Sequence, residues 1–339
     1  MKKLALSNLN SLYNAINEKM RLYAPIENNG AVNFEEWSEG AEVNLSKMTV
    51  KSAKDAFFPQ CEDLSNFKKD GKHIIVEQGE LVAEDFVIFG VRACDVRAFH
   101  ILDTVFLEGF LDTFYEARRK HGIVISLSCT KPEESCFCSN FGIDPAQPKG
   151  DIESYIAGED IYFNPVTEKG EKFMAEFAGL FENGDDKAVK DSQAKTREIM
   201  SKLPFNNLPL KEFGGDKLDA MFARPEWQAL SESCIGCGTC TYVCPTCQCY
   251  DVRDYKTNTG VKRFRCWDSC MRKDFTMMAH GTNRPSHMQR FRQRFMHKLV
   301  YHPANHNGEF SCVGCGRCVA KCPVSMNIVK VMKTLGGNK

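Results

Sequence analysis

Long apolar runs are missing from this chain. No stretch approaches the roughly 18–20 consecutive apolar residues that span a bilayer. The segment Met1-Lys2-Lys3-Leu4-Ala5-Leu6 begins like a secretion signal, but Ser7-Asn8-Leu9-Asn10-Ser11 turns polar at once. That leaves no apolar stretch of about 7–15 residues and no cleavage site, so a cytoplasmic location is expected. Net charge is missing too. The 44 Lys and Arg balance 44 Asp and Glu, which gives no overall argument for nucleic acid or an anionic membrane. Neither G-x-G-x-x-G nor a P-loop is found, so NAD and FAD are expected on a neighbouring chain. There is no low-complexity tract.

What is present in excess is cysteine. Of 17 cysteines, twelve fall between Cys234 and Cys322, and the total is odd. A secreted disulfide scaffold is usually short, with an even count, so this crowding in a 339-residue chain points to metal. The length is enough for two domains.

Apolar spacing predicts an amphipathic helix over about residues 5–20, with short strands at 21–25 and 73–77. Unbroken apolar runs at Phe86–Val91 and Ile123–Leu127 enclose a helical segment at about 95–107. Strand, helix and strand without alternation predict a buried, mainly parallel sheet. A strand pair and a helix are expected over 152–181, and further helices at 187–202 and 215–230. Pro204, Pro209, Gly214 and Gly215 break the pattern, which places a boundary near 205–220. The expected class is α+β, with an N-terminal α/β domain over 1–210 and a helical, dicluster ferredoxin-like domain over 211–339.

The chemistry lies in two copies of C-x2-C-x2-C-x3-C-P. One runs from Cys234 through Cys237 and Cys240 to Cys244-Pro245; the other runs from Cys312 through Cys315 and Cys318 to Cys322-Pro323. In two-cluster ferredoxins the first three cysteines of such a run hold one [4Fe–4S] cubane and the fourth holds the other. Cys234, Cys237, Cys240 and Cys322 are therefore assigned to one cluster, and Cys312, Cys315, Cys318 and Cys244 to a second. Gly236, Gly238, Gly314 and Gly316 let each loop curl so that backbone N–H groups face the sulfides. Zinc, which favours two CxxC pairs split by a longer loop, fits this run poorly.

Between the copies lie 67 residues with four more cysteines. Cys247, Cys249, Cys266 and Cys270 form either an extra metal site or a set of packed, reduced thiols. Residues 251–300 carry twelve Lys or Arg against four Asp or Glu. This excess reads as an offset to negative clusters, or as a docking face for an acidic partner. Upstream, Cys94 and Cys129 each follow an expected strand, and Cys136-Phe137-Cys138 lies in the loop after Cys129. Carboxyl ends of parallel strands gather on one edge. Cys94, Cys129, Cys136 and Cys138 are thus a candidate third cubane site; the alternative is two core thiols beside a redox or zinc pair. Asp95 is an expected helix N-cap or substitute ligand. Cys61 has no partner in the sequence.

The segments Gly90-Val-Arg-Ala-Cys94-Asp95, Cys136-Phe-Cys138, Cys244-Pro-Thr-Cys247-Gln-Cys249, Trp267-Asp-Ser-Cys270 and Cys312-Val-Gly-Cys315-Gly-Arg-Cys318 occur in this order. In this the chain resembles the beta subunits of sulfhydrogenases and the A subunits of anaerobic sulfite reductases. It is similar also to subunits of flavin oxidoreductase modules linked to heterodisulfide-reductase-like complexes. The resemblance runs from Phe57 to Pro323. It implies a non-catalytic electron-transfer subunit between an FAD- and NAD(P)-binding subunit and a hydrogenase, sulfite reductase or disulfide reductase. Cys61 and Cys266 depart from the pattern. The competing expectation is a reductase in its own right, with its substrate at the N-terminal cluster or near Cys247–Cys270.

Overall fold

The computed structural model describes residues 1–337. Its centre is an eight-stranded mixed sheet. From edge to edge the order is Glu182–Asn183, Lys2–Ala5, Asp160–Pro165, Ile152–Ala157, Gly122–Leu127, Phe86–Val91, Arg21–Asn28 and Ala31–Glu36. The four central strands, from Ile152–Ala157 to Arg21–Asn28, are parallel; the outer pairings are antiparallel. Phe86–Val91 and Gly122–Leu127 are buried throughout, as a strand covered on both faces must be. On one face, Leu12, Tyr13 and Ile16 from helix Leu9–Asn17 pack onto Val87, Phe89 and Ile125. On the other, Phe99, Leu102 and Phe106 from helix Ala93–Phe106 pack onto Ile88 and Val124.

The first helix is shorter than the apolar spacing predicts, because Lys2–Ala5 forms a strand beside Asp160–Pro165. The expected strand pair at 152–165 forms, and the helix after it runs Glu168–Glu176.

The region after 210 is not only helical. Tyr250–Lys256 and Gly260–Trp267 form a hairpin, and Gly260–Trp267 also pairs with Cys61–Asp70, which in turn pairs with His73–Gln78. This four-stranded sheet joins segments from both sides of the 205–220 break. Charge pairing hides the strand signal in the sequence. Asp254 and Arg263 face each other in register and form an ion pair 2.7 Å long. Lys262 reaches Asp63 across the neighbouring strand. Beneath the sheet, the buried Arg265 guanidinium binds Glu62 and Asp112, and Arg118 donates to Glu62 at 2.7 Å. These bonds fasten the sheet to helix Thr113–His121, whose N-cap is Asp112.

A second core holds the C-terminal part. Trp227, Phe291, Phe295 and Leu299 pack with Ile328, Val331 and Met332. Helix His287–Met296 starts at a capping box in which Ser286 and Gln289 exchange hydrogen bonds.

Candidate metal centres

The two ferredoxin runs fold alike. In both, two glycines take positive φ: Gly236 and Gly238 in the first (69° and 77°), Gly314 and Gly316 in the second (59° and 78°). Each second glycine leads into a short helix, Thr239–Tyr242 or Arg317–Ala320. The left-handed turns curl each cysteine triplet around one space. Cys234 lies within electrostatic reach of Cys237 and Cys322. Cys312, Cys315 and Cys318 lie in the same way beside Cys244.

This second set lines a narrow pocket, with a cavity volume of only about 10 Å³, walled also by Phe137, Arg294 and Lys298. Its thiols stand around a space instead of meeting at a point. Among the described residues, no three His, Cys, Asp or Glu side chains converge tightly enough for a single metal ion. A cubane, ligated at four separate irons, suits a ring of donors of this kind. Burial pushes Cys312 up to about 12, raises Cys315 and Cys318 with it, and in the first set pushes Cys240 up to about 11; Cys244 alone of the second set is lowered. Metal binding displaces the protons of the raised thiols, and the thiolates then present their charge to the cations around them.

The counter-charge is built in. Arg294 is buried, donates from Nη2 to the Cys240 carbonyl at 3.2 Å, and leaves Nε and Nη1 without partners. Buried N–H donors are seldom left unpaired, since each costs about 1–3 kcal/mol. Burial would depress the Arg294 guanidinium; thiolates at Cys240, Cys318, Cys247 and Cys244 reverse this and raise it. Lys298 is likewise raised against its burial, chiefly by Cys244 and Cys247. The donors left over on Arg294 and the thiol ring around it fit a buried, anionic cluster. Two members of the basic excess at 251–300 thus face the thiols, whereas Arg253, Lys262, Arg263 and Arg265 are bound to acidic residues.

Cys94, Cys129, Cys136 and Cys138 gather beyond the carboxyl ends of the two central strands. Cys129 lies beside Cys136 and Cys138, and Cys138 beside Cys94. Burial drives all four up, Cys136 to about 11. Asp95 does not cap the helix, which begins after Arg92 without a side-chain cap. Nor is it free to ligate. It is fully buried, and Arg317 clasps both its oxygens at 2.6 and 2.7 Å while also donating to Thr49. Arg317 lies next to Cys318, so this clasp joins the strand-end thiols to the second ferredoxin loop.

The two loops also meet through backbone. Phe137 N–H donates to the Gly314 carbonyl at 2.8 Å. A Cβ on Gly314 would lie 2.5 Å from the Phe137 carbonyl oxygen, and one on Gly316 would lie 2.6 Å from that of Ser135. Gly314→Ala is therefore expected to lose about 2–4 kcal/mol, combining φ strain with the clash. Gly142→Ala, at φ +69° with open space around it, should lose only the strain, about 1 kcal/mol. Urea unfolding of the two variants measures the difference.

Cys247, Cys249 and Cys270 extend from Cys244 as two thiol pairs, Cys244 with Cys247 and Cys249 with Cys270, both within reach of Lys54 and Lys298. Cys247 donates to Cys244, which it lowers together with Lys298; Cys270 donates to Cys249, lowered to about 7. Buried Lys54 donates to the carbonyls of Cys244 and Cys247 at 3.3 and 2.8 Å, and lies 3.6 Å from the Trp267 ring centroid. Desolvation depresses its ammonium to about 8. Cys266 does not join this group: it sits on strand Gly260–Trp267, directly opposite Cys61. Strand alternation explains why. Its neighbours Arg265 and Trp267 point inward and are buried, so Cys266 points to the other face. Sequence reasoning missed Lys54, Arg294 and Arg317. Only the basic excess hinted at Arg294, and nothing local marks Lys54.

Residues 233–326 match the 4Fe-4S dicluster domain family. The sulfhydrogenase 2 subunit beta of Pyrococcus furiosus is 33% identical over 322 residues, covering 94% of this chain and 93% of that protein. The chain belongs to the sulfhydrogenase beta-subunit family. No solved structure matches it. As a family member it is an iron–sulfur electron-transfer subunit that carries [4Fe–4S] clusters. None of the described helices is long and apolar enough to cross a membrane.

Proposed function

We propose that this chain relays electrons between a flavin- and NAD(P)-binding subunit and a catalytic partner, through three [4Fe–4S] clusters. The carrying observation is the contiguity of the three thiol sets. Cys240 of the first lies beside Cys318 of the second, and Cys315 of the second lies beside Cys94 of the third. Clusters held there would accept and release one electron at a time. The chain's own residues hold the line together. Arg294 sits at the first junction, and the Arg317–Asp95 clasp at the second. Buried cations at both junctions favour the reduced, more negative state and keep water out of the line.

A hydrogenase is the favoured catalytic partner, since the relative is named as part of a sulfhydrogenase. The division near 205–220 is read as one between a core on the eight-stranded sheet and a core around Trp227 and Phe291, bridged by Phe137, which packs into the second. The Cys247, Cys249 and Cys270 group beside Cys244 is read as a further ligand set branching from the middle of the line.

Iron and acid-labile sulfide on anaerobically purified protein test the reading. About twelve irons per chain are expected from the three sets, and more if the branch is loaded. About eight would remove the strand-end cluster, and zinc without sulfide would overturn the whole proposal. Purification at native expression levels tests the partners: a stable monomer without flavoprotein contradicts the relay.

A further inference from the structure

Fifteen of the 17 cysteines fall into the thiol sets above. Cys61 and Cys266 do not. Strands Cys61–Asp70 and Gly260–Trp267 are antiparallel neighbours, and Cys61 is the register partner of Cys266. Trp267 N–H donates to the Gln60 carbonyl at 2.9 Å, which makes the next residues along a hydrogen-bonded pair. Because the two kinds of pair alternate, Cys61 and Cys266 form a non-hydrogen-bonded pair. There the Cα atoms stand about 4.5 Å apart and the side chains come closest. That separation falls inside the range of disulfides, roughly 4.4–6.8 Å between Cα atoms.

Both thiols project from the same face, away from the buried Arg265–Glu62 layer. Cys61 is exposed and Cys266 half-buried, so a small disulfide can reach the pair from solvent. The two thiols are close enough for Cys61 to act on Cys266 electrostatically.

We propose that Cys61 and Cys266 form a reversible cross-strand disulfide by exchange with a low-molecular-weight disulfide. The thiolate of the more exposed Cys61 attacks one sulfur of the small disulfide. That S–S bond breaks, one small thiolate leaves, and Cys61 carries a mixed disulfide. Cys266, after losing its proton, attacks the Cys61 sulfur and expels the second small thiolate. The protein gives up two electrons and two protons, and the small disulfide becomes two thiols.

The bond ties residue 61 to residue 266 across the four-stranded sheet. It staples hairpin 250–267, whose ends run into Cys249 on one side and Asp268–Cys270 on the other, onto the N-terminal part of the chain. No assigned cluster ligand is consumed. The oxidised form therefore holds the branch thiols and Trp267 more firmly against Lys54 without discharging the clusters.

The test uses the whole, cluster-loaded chain under anaerobic conditions, equilibrated in glutathione buffers from reduced to oxidised. Samples are quenched with acid, alkylated, digested and analysed by mass spectrometry. In oxidised buffer, a peptide pair joined through Cys61 and Cys266 is expected, two hydrogens lighter than its parts, with unchanged iron content. Cys61→Ser should leave Cys266 carrying glutathione, and Cys266→Ser should leave Cys61 carrying it. Wild-type protein with both cysteines free, or each carrying its own glutathione, overturns the bond. Trypsin reads the staple: cleavage at Lys256 and Lys262 should slow at least about threefold on oxidation, as expected of a cross-link that limits opening. The slowing should reverse with reductant and be absent in Cys61→Ser. Equal cleavage in both states, with the bond present, overturns the stapling.

Discussion

Cys244→Ala should remove about four irons per chain and uncouple the two ends of the relay. Cys244 lines the cavity shared with Cys312, Cys315 and Cys318, and it also touches Cys247. Its set lies between the other two, so no detour remains once it is lost. The flanking sets keep all their thiols, and their EPR signals should persist. Without the Cys244 thiolate, burial pulls the Lys298 ammonium down, because the largest of the charges that raise it is gone. Iron analysis and EPR titration read the loss directly. Stopped-flow reduction by a partner flavoprotein should show one end of the chain filling while the other stays oxidised. Loss of every cluster would mean that Cys244 holds the fold, and an unchanged iron count would move the ligand elsewhere.

Arg317→Met should destabilise the chain by about 3–5 kcal/mol, because it strands the Asp95 carboxylate with no exposure to water. Asp95→Asn should cost less, since an amide can still accept from the guanidinium. The double variant Asp95→Leu with Arg317→Met should recover much of the loss, as apolar replacements of buried ion pairs often do. Burial disfavours the Arg317 cation, while Asp95 and then Cys315 hold it charged, so the guanidinium faces both thiol sets at once. Clusters that survive in Arg317→Met should become harder to reduce, because a nearby positive charge is gone. Urea unfolding and redox titration of the same samples separate the two effects. A double variant no more stable than the single one would deny that the ion pair itself is the cause.

The ferredoxin runs were legible because cluster ligation demands fixed spacing within a few residues. The parallel strands Phe86–Val91 and Gly122–Leu127 were legible because burial on both faces leaves an unbroken apolar run. Strand-end gathering then sufficed to group Cys94 with Cys129, Cys136 and Cys138. Asp95 was misread, since a carboxylate beside a cysteine at a helix start looks the same whether it caps, ligates or pairs. Its partner is 222 residues away in sequence, and only packing reveals it. Hairpin 250–267 was missed because its strands carry charges whose partners lie across the sheet, such as Asp254 with Arg263 and Lys262 with Asp63. Cys266 was grouped with Cys247, Cys249 and Cys270 by nearness in sequence; the alternation of a strand turns it the other way.

The four-stranded sheet also sets a timetable for synthesis. Strand Cys61–Asp70 is translated long before Gly260–Trp267, the strand that completes its pairing. At roughly 5–20 residues per second, the wait is on the order of 10–40 s. Through that interval its hairpin with His73–Gln78 presents an open edge, and Ile74, Ile75 and Val76 stand exposed on the outer strand. A bare edge with three aliphatic residues invites pairing between nascent chains. Lys68, Lys69 and Lys72 nearby supply charge repulsion against such pairing. Overproduction without slowing translation should therefore favour aggregates seeded at residues 61–78, before any iron has been delivered.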